Sequence, residues 1–280
     1  MENLWKTSTP SHARFPWFNC FFLGWLGLWL PVALGIAWIA KIPWRYPVAP
    51  EHKLPLLLPL YLLAPAAVEI YRRYGNGDAW ADYGVGWQVS TFKTLGLGLG
   101  VAICGVLLLM ASQLALGWRQ WRPTAPDQPP AAPTALILAL PPLTLFIGWV
   151  EELIFRGVLV NGLLPTLPWV GVAILASAIF AVSHLLWDGP AGVPSLPGLG
   201  LMGLVLLLAR WAMAGDLSLA WGLHTGWIFA IALIDALHLT QPAPTAPALA
   251  GQPDQPLTGL PALGLMLLTG LGLWGYTLFL

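Results

Sequence analysis

Along this chain, apolar runs close to the length of a bilayer crossing alternate with short polar stretches rich in proline and glycine. A crossing helix needs about 20 predominantly apolar residues. Eight runs read as such helices, over 18–40, 54–70, 95–116, 134–164, 169–187, 198–214, 217–239 and 257–280. An even number puts both ends of the chain on one side. The first run is read as a retained span, because a signal-peptide core is shorter, roughly 7–15 residues, and no small-x-small cleavage site follows. The second holds Pro55, Pro59 and Pro65, which kink a membrane helix and free carbonyls that neighbours must satisfy. The third carries Gly96, Gly98, Gly100 and Gly105, which let another helix approach closely.

The intervening stretches divide the chain further. Residues 41–53 form a proline-punctuated loop, and 71–88, with Arg72, Arg73, Asp78 and Asp82, read as an interfacial loop or a short amphipathic helix. Residues 118–133, rich in proline, glutamine and alanine, read as a linker. The expected organisation is a three-span portion with its linker over 1–133, a four-helix core over 134–240, and a loop with a last helix over 241–280.

Composition agrees with this pattern. Of 280 residues, 58% are hydrophobic and 9% charged, and the mean hydropathy is +0.73. Soluble domains carry about 25% charged residues, so the expected class is an all-α, multi-pass integral membrane protein. A net charge of zero argues against a nucleic-acid partner. Cys20 and Cys104 both fall in apolar runs and offer neither metal-ligand spacing nor a disulfide framework. Most of the 17 tryptophans lie near run ends, as interfacial anchors do. Lysine and arginine are nearly balanced between alternate loops, so charge assigns no orientation, and no lipidation or retention signal at the ends specifies a membrane.

Against this background the polar residues inside the runs stand out. Glu151, Glu152 and Arg156 lie within six residues of one another in the fourth run. On translocon-type scales each charge at a helix centre costs about 2.5–3.5 kcal/mol. On a helix Glu152 and Arg156 share a face at i,i+4 with the acid N-terminal, the better order for an ion pair. Glu151 points about 100° away. One glutamate therefore has a partner and the other lacks one. His184 lies near the end of the fifth helix and His224 within the seventh. Either histidine alone reads as a hydrogen-bonded packing residue. Together with Glu151 they could supply a general base, a proton carrier and a transition-state stabiliser, three ligands for a divalent metal, or a proton-linked carrier. No internal repeat supports the carrier. Asp188 reads as a turn residue and Asp216 as an N-cap for the seventh helix, with Asp235 and His238 at the interface.

Glu151-Glu152-x-x-x-Arg156, then Phe180-x-x-x-His184, then His224, resembles the three-motif pattern of the CPBP family. That family holds the CAAX prenyl endopeptidases, their bacterial intramembrane-protease relatives and some bacteriocin self-immunity proteins. The resemblance covers about 134–240 and implies an intramembrane endopeptidase acting on a membrane-associated protein or peptide. It implies Glu151 and His184 as the pair that activates water, and His224 as the stabiliser of the oxyanion. Glu152 pairs with Arg156 to hold the helix, and Phe180 packs beside His184. No cofactor is required on this reading; if a metal such as zinc takes part, Glu151, His184 and His224 are its implied ligands. The third motif of the prenyl endopeptidases continues to Asn or Asp one turn after the histidine, but position 228 here is Ile. That residue donates no hydrogen bond, which keeps a second reading open: a non-catalytic membrane scaffold or self-immunity-type protein.

Overall fold

The computed structural model describes residues 15–122, 133–252, 255 and 258–278. The described residues fold into eight principal helices: α1 (Phe15–Ile39), α2 (Pro50–Tyr71), α3 (Val89–Ala115), α4 (Thr134–Leu163), α5 (Trp169–Ser183), α6 (Leu196–Ala212), α7 (Ser218–Ala236) and α8 (Leu260–Thr277). Among the described residues, seven continuous helical stretches are long and apolar enough to cross a membrane. The fifth of these, Trp169–Ala212, has 44 residues. A straight helix of that length would run to about 66 Å, roughly twice a bilayer core. Instead a helical turn at Leu185–Asp188 and a 3₁₀ segment at Gly189–Ser195 reverse the chain, and α6 packs back along α5. The eight apolar runs thus correspond to seven continuous stretches, one of them a hairpin. The protein is an integral, multi-pass, all-α membrane protein.

Apolar side chains gain little by moving from lipid to a neighbouring helix, so close backbone approach has to hold a membrane bundle together. The most extensive contact, between α3 and α7, is built this way. A Cβ on Gly98 would come within 2.7 Å of the Leu219 carbonyl oxygen, and one on Gly226 within 2.6 Å of the Ala102 Cβ. A Cβ on Gly222 would run into the Leu95 carbonyl oxygen. Of the four α3 glycines expected to pack, Gly98 and Gly105 meet neighbours, whereas Gly96 and Gly100 have open space beside them. Gly222→Ala is therefore expected to lower the midpoint of thermal unfolding by an amount matching overpacking, about 1–3 kcal/mol. Gly96→Ala should leave it unchanged, and both are read in detergent by intrinsic fluorescence.

The proline-bearing helix α2 is continuous through Pro55, Pro59 and Pro65. Trp25 and Trp29 of α1 donate their indole N–H groups to the carbonyls of Leu60 and Leu56, at 2.9 and 2.8 Å. These two tryptophans brace a proline-bearing neighbour by binding its backbone carbonyls. Residues 71–88 form a π turn at Arg72–Asn76 and a 3₁₀ turn at Trp80–Tyr83, the short helical pieces expected of that stretch. The helices on either side of 118–133, α3 and α4, both pack against α7, and a two-stranded antiparallel clasp, β1 (Arg119–Trp121) with β2 (Thr240–Pro242), ties the far ends of α3 and α7. Cys20 and Cys104 are free and exposed on the helix surface. Asp216 accepts a hydrogen bond from the Ser218 N–H at 2.7 Å, so it caps the start of α7 from just outside it. Asp188 ends the turn after His184 and pairs with Lys53 at 2.5 Å.

Candidate active site

The charges of α4 sit where its geometry changes. Thr134–Glu151 is regular α-helix, Glu152–Leu159 is π-helix, and α-helix resumes at Val160. A π segment widens the helix, breaks the usual carbonyl ladder and is common at functional sites. Here the guanidinium of Arg210, from α6, donates to the Arg156 carbonyl. The same guanidinium reaches the Gly215 carbonyl at 3.0 Å and the Asn161 side-chain oxygen at 3.0 Å. Arg210 is thus a buried clamp that pins α6 and the loop before α7 onto the widened turn.

Glu152 and Arg156 form the ion pair that their spacing demands, at 3.0 Å, with both side chains almost fully buried. The guanidinium carbon of Arg156 also lies 4.3 Å from the centre of the Phe180 ring, a cation–π contact in a dry setting. Its second nitrogen reaches the Gly203 carbonyl at 3.4 Å. Three elements, α4 through α6, therefore meet at one arginine.

His224 stands between the two glutamates. Its Nδ1 lies 2.7 Å from Oε1 of Glu152, and its Nε2 faces Oε2 of Glu151 at 3.5 Å. The 100° divergence of adjacent side chains on α4 is spanned by one imidazole, whose two nitrogens also diverge. Glu152 thus holds the histidine as well as the helix. A carboxylate only accepts, so Nδ1 carries the hydrogen and Nε2 is the nitrogen turned toward Glu151. The approach of α7 to α4 depends on Gly148, where a Cβ would fall 2.5 Å from the Thr225 hydroxyl.

Glu151 keeps 12% of its side chain accessible. Its Oε1 accepts a hydrogen bond from the Tyr61 hydroxyl of α2 at 2.5 Å. Its Oε2 makes no hydrogen bond among the described residues. His184 comes to the group through Phe180, whose ring meets both histidines edge to face, at 4.9 Å for His184 and 5.9 Å for His224. Nδ1 of His184 lies 2.9 Å from the Phe180 carbonyl oxygen. The carbonyl is an acceptor, so in the neutral ring Nε2 is left with its lone pair.

Residues 133–230 match the family model described as type II CAAX prenyl endopeptidase Rce1-like. That stretch of the chain is similar to the CAAX protease-like, or CPBP, family. No curated protein and no solved structure was matched by the chain. The matched segment holds Glu151, Glu152, Arg156, Phe180, His184, His224 and Arg210, whereas Tyr61 lies outside it. At the third CPBP motif, position 228 is a half-buried isoleucine on α7. The other donors beside His224 are the Thr225 hydroxyl and the Trp227 indole N–H, both buried and without a hydrogen-bond partner among the described residues.

A metal would need three donors within about 2.0–2.2 Å of one point. Among the described residues no three His, Cys, Asp or Glu side chains are so grouped. Glu151, His184 and His224 as placed do not fit a metal site.

Two members of the site lay outside the motif residues. Arg210 is a lone charge in an apolar run, which the cost of intramembrane charge already marks. Tyr61 is the one polar tip in the middle of the proline-bearing run, and a buried tyrosine hydroxyl usually finds a partner.

Proposed function

We propose that this protein is an intramembrane endopeptidase that hydrolyses a peptide bond of a membrane-associated protein substrate. The observation that carries this is Glu151, a partly accessible side chain within a membrane helix, whose buried Oε2 faces His224 and makes no hydrogen bond among the described residues. In this reading Oε2 accepts a proton from water as the water oxygen attacks the carbonyl carbon of the scissile bond. The lone pair on Nε2 of His184 accepts the second hydrogen of that water and orients it. The carbonyl π electrons pass to oxygen, and the resulting oxyanion is met by Nε2 of His224 in its protonated form. Collapse of the tetrahedral intermediate re-forms the carbonyl and breaks the C–N bond. Glu151 returns its proton to the departing nitrogen, leaving an acid and an amine.

Glu152 and Arg156 have no part in bond making. They hold His224 at Nδ1 so that Nε2 faces the reaction, and they are buried as a pair so that neither charge is left alone. Ile228 favours the second reading, a family member that keeps the fold and lacks the chemistry.

The experiment is cleavage of a quenched-fluorescent peptide library by detergent-purified protein, wild type beside His224→Ala. Removing one oxyanion donor typically lowers the rate about 100–1,000-fold, and that loss is expected here. A well-folded wild type that cleaves nothing in the library would favour the non-catalytic reading. Equal rates in the two proteins would remove His224 from the mechanism.

A further inference from the structure

Among the described residues, the hydrogen bond that Glu151 accepts comes from outside the family-matched segment. Tyr61 stands in α2 between Pro59 and Pro65, its ring packed against the cluster formed by Ala64, Val68, Val150 and Leu153. Its hydroxyl lies 2.5 Å from Oε1 of Glu151. The link joins positions 90 residues apart and crosses from the N-terminal three-helix portion into the core.

Resting on the reading of Glu151 as the base, we propose that Tyr61 is a positioning residue, which fixes Oε1 of that carboxylate so that Oε2 is the oxygen presented to water. The two oxygens of a glutamate are chemically alike, and the last torsion of the side chain is broad and roughly two-fold. Something must therefore distinguish them if one is to act. His224 meets Oε2 at 3.5 Å, too far to orient the group by itself. The phenol at 2.5 Å is the contact that sets the torsion. It is held there by its ring, wedged among apolar side chains of α2 and α4. A lysine or arginine in its place would draw the carboxylate into an ion pair and blunt it as a base. A phenol donates one hydrogen bond and keeps no charge of its own.

The test uses full-length protein in detergent, as wild type, Tyr61→Phe and Glu151→Gln. Phenylalanine keeps the ring and its packing and removes only the O–H. Two readouts are needed, one independent of activity. Dicyclohexylcarbodiimide adds to protonated carboxyl groups in apolar surroundings, and the adduct is mapped to Glu151 by mass spectrometry. A carboxyl oxygen engaged by a phenol is less free to attack the carbon of the reagent. Labelling of Glu151 in Tyr61→Phe should therefore be several-fold faster than in wild type, and absent in Glu151→Gln. In the peptide assay, kcat of Tyr61→Phe should fall about 10–100-fold, the scale of a misplaced reacting group, with KM and thermal midpoint unchanged.

Labelling of Glu151 at the wild-type rate in Tyr61→Phe would overturn the proposal whatever the activity. Wild-type kcat in Tyr61→Phe, with cleavage lost in Glu151→Gln, would overturn the positioning role and leave the base reading intact. Faster labelling together with full cleavage by Glu151→Gln would keep the Tyr61 contact and overturn the base reading alone.

Discussion

Glu151→Gln is expected to lower peptide cleavage about 100–10,000-fold, the range that a general base contributes, without loss of folded protein. Glutamine has the shape of glutamate and keeps a carbonyl oxygen that can accept from Tyr61, so the contact between α2 and α4 survives. What it lacks is an oxygen that can take a proton from water. The neighbouring cluster is also spared, since Glu152, Arg156 and Nδ1 of His224 form a closed set that does not use Glu151. The measurement is turnover of the best library peptide beside size-exclusion behaviour and thermal midpoint in the same detergent. Full activity in a sample shown by mass to carry the substitution would sink the assignment of Glu151. Loss of activity together with loss of fold would show that the residue is structural.

The second large effect is expected in stability. Arg156→Ala should destabilise the protein by about 3–5 kcal/mol, because it removes one member of a buried ion pair and leaves the other charge uncompensated. Arg156 has three kinds of partner: the Glu152 carboxylate, the Phe180 ring and the Gly203 carbonyl. Its loss therefore loosens α5 and α6 from α4 as well. Arg156→Lys restores a charge but not the planar group that lies over the Phe180 ring, so its stability should fall between wild type and alanine. Folded yield by fluorescence-detected size exclusion, with thermal midpoints for samples that fold, reads the series. Equal yield for alanine and wild type would mean that the pair does not hold the bundle.

Much of this arrangement is legible in the residues themselves. Apolar runs of bilayer length have one economical conformation, so the helices follow from the sequence to within a few residues at most ends. The start of α3 is an exception: Val89, Ser90, Thr91 and Lys93 extend the helix into residues that belong neither to the third apolar run nor to the loop before it. The Glu152–Arg156 pair is legible because it is local, four residues apart on one helix. The contacts that are not local could not be read in this way. That His224 touches both glutamates depends on how closely α7 meets α4, and so on a missing Cβ at Gly148. The π segment depends on Arg210, which arrives from another helix to take a carbonyl. Tyr61 depends on the path of α2 past the core, which no pattern within residues 134–240 contains. In each case a spacing within one element was readable and a distance between elements was not.

The ion pair on α4 also bears on how the chain is made. A ribosome delivers helices in order, so α4 reaches the bilayer while α7 is still unsynthesised. Glu152 and Arg156 need nothing from later sequence to neutralise each other, since both ride on the same helix. Glu151 finds Tyr61 on α2, a helix made earlier. This charged crossing can thus enter lipid with its charges already attended. His224 then arrives last and closes a site whose parts were kept safe from the bilayer at every stage of assembly.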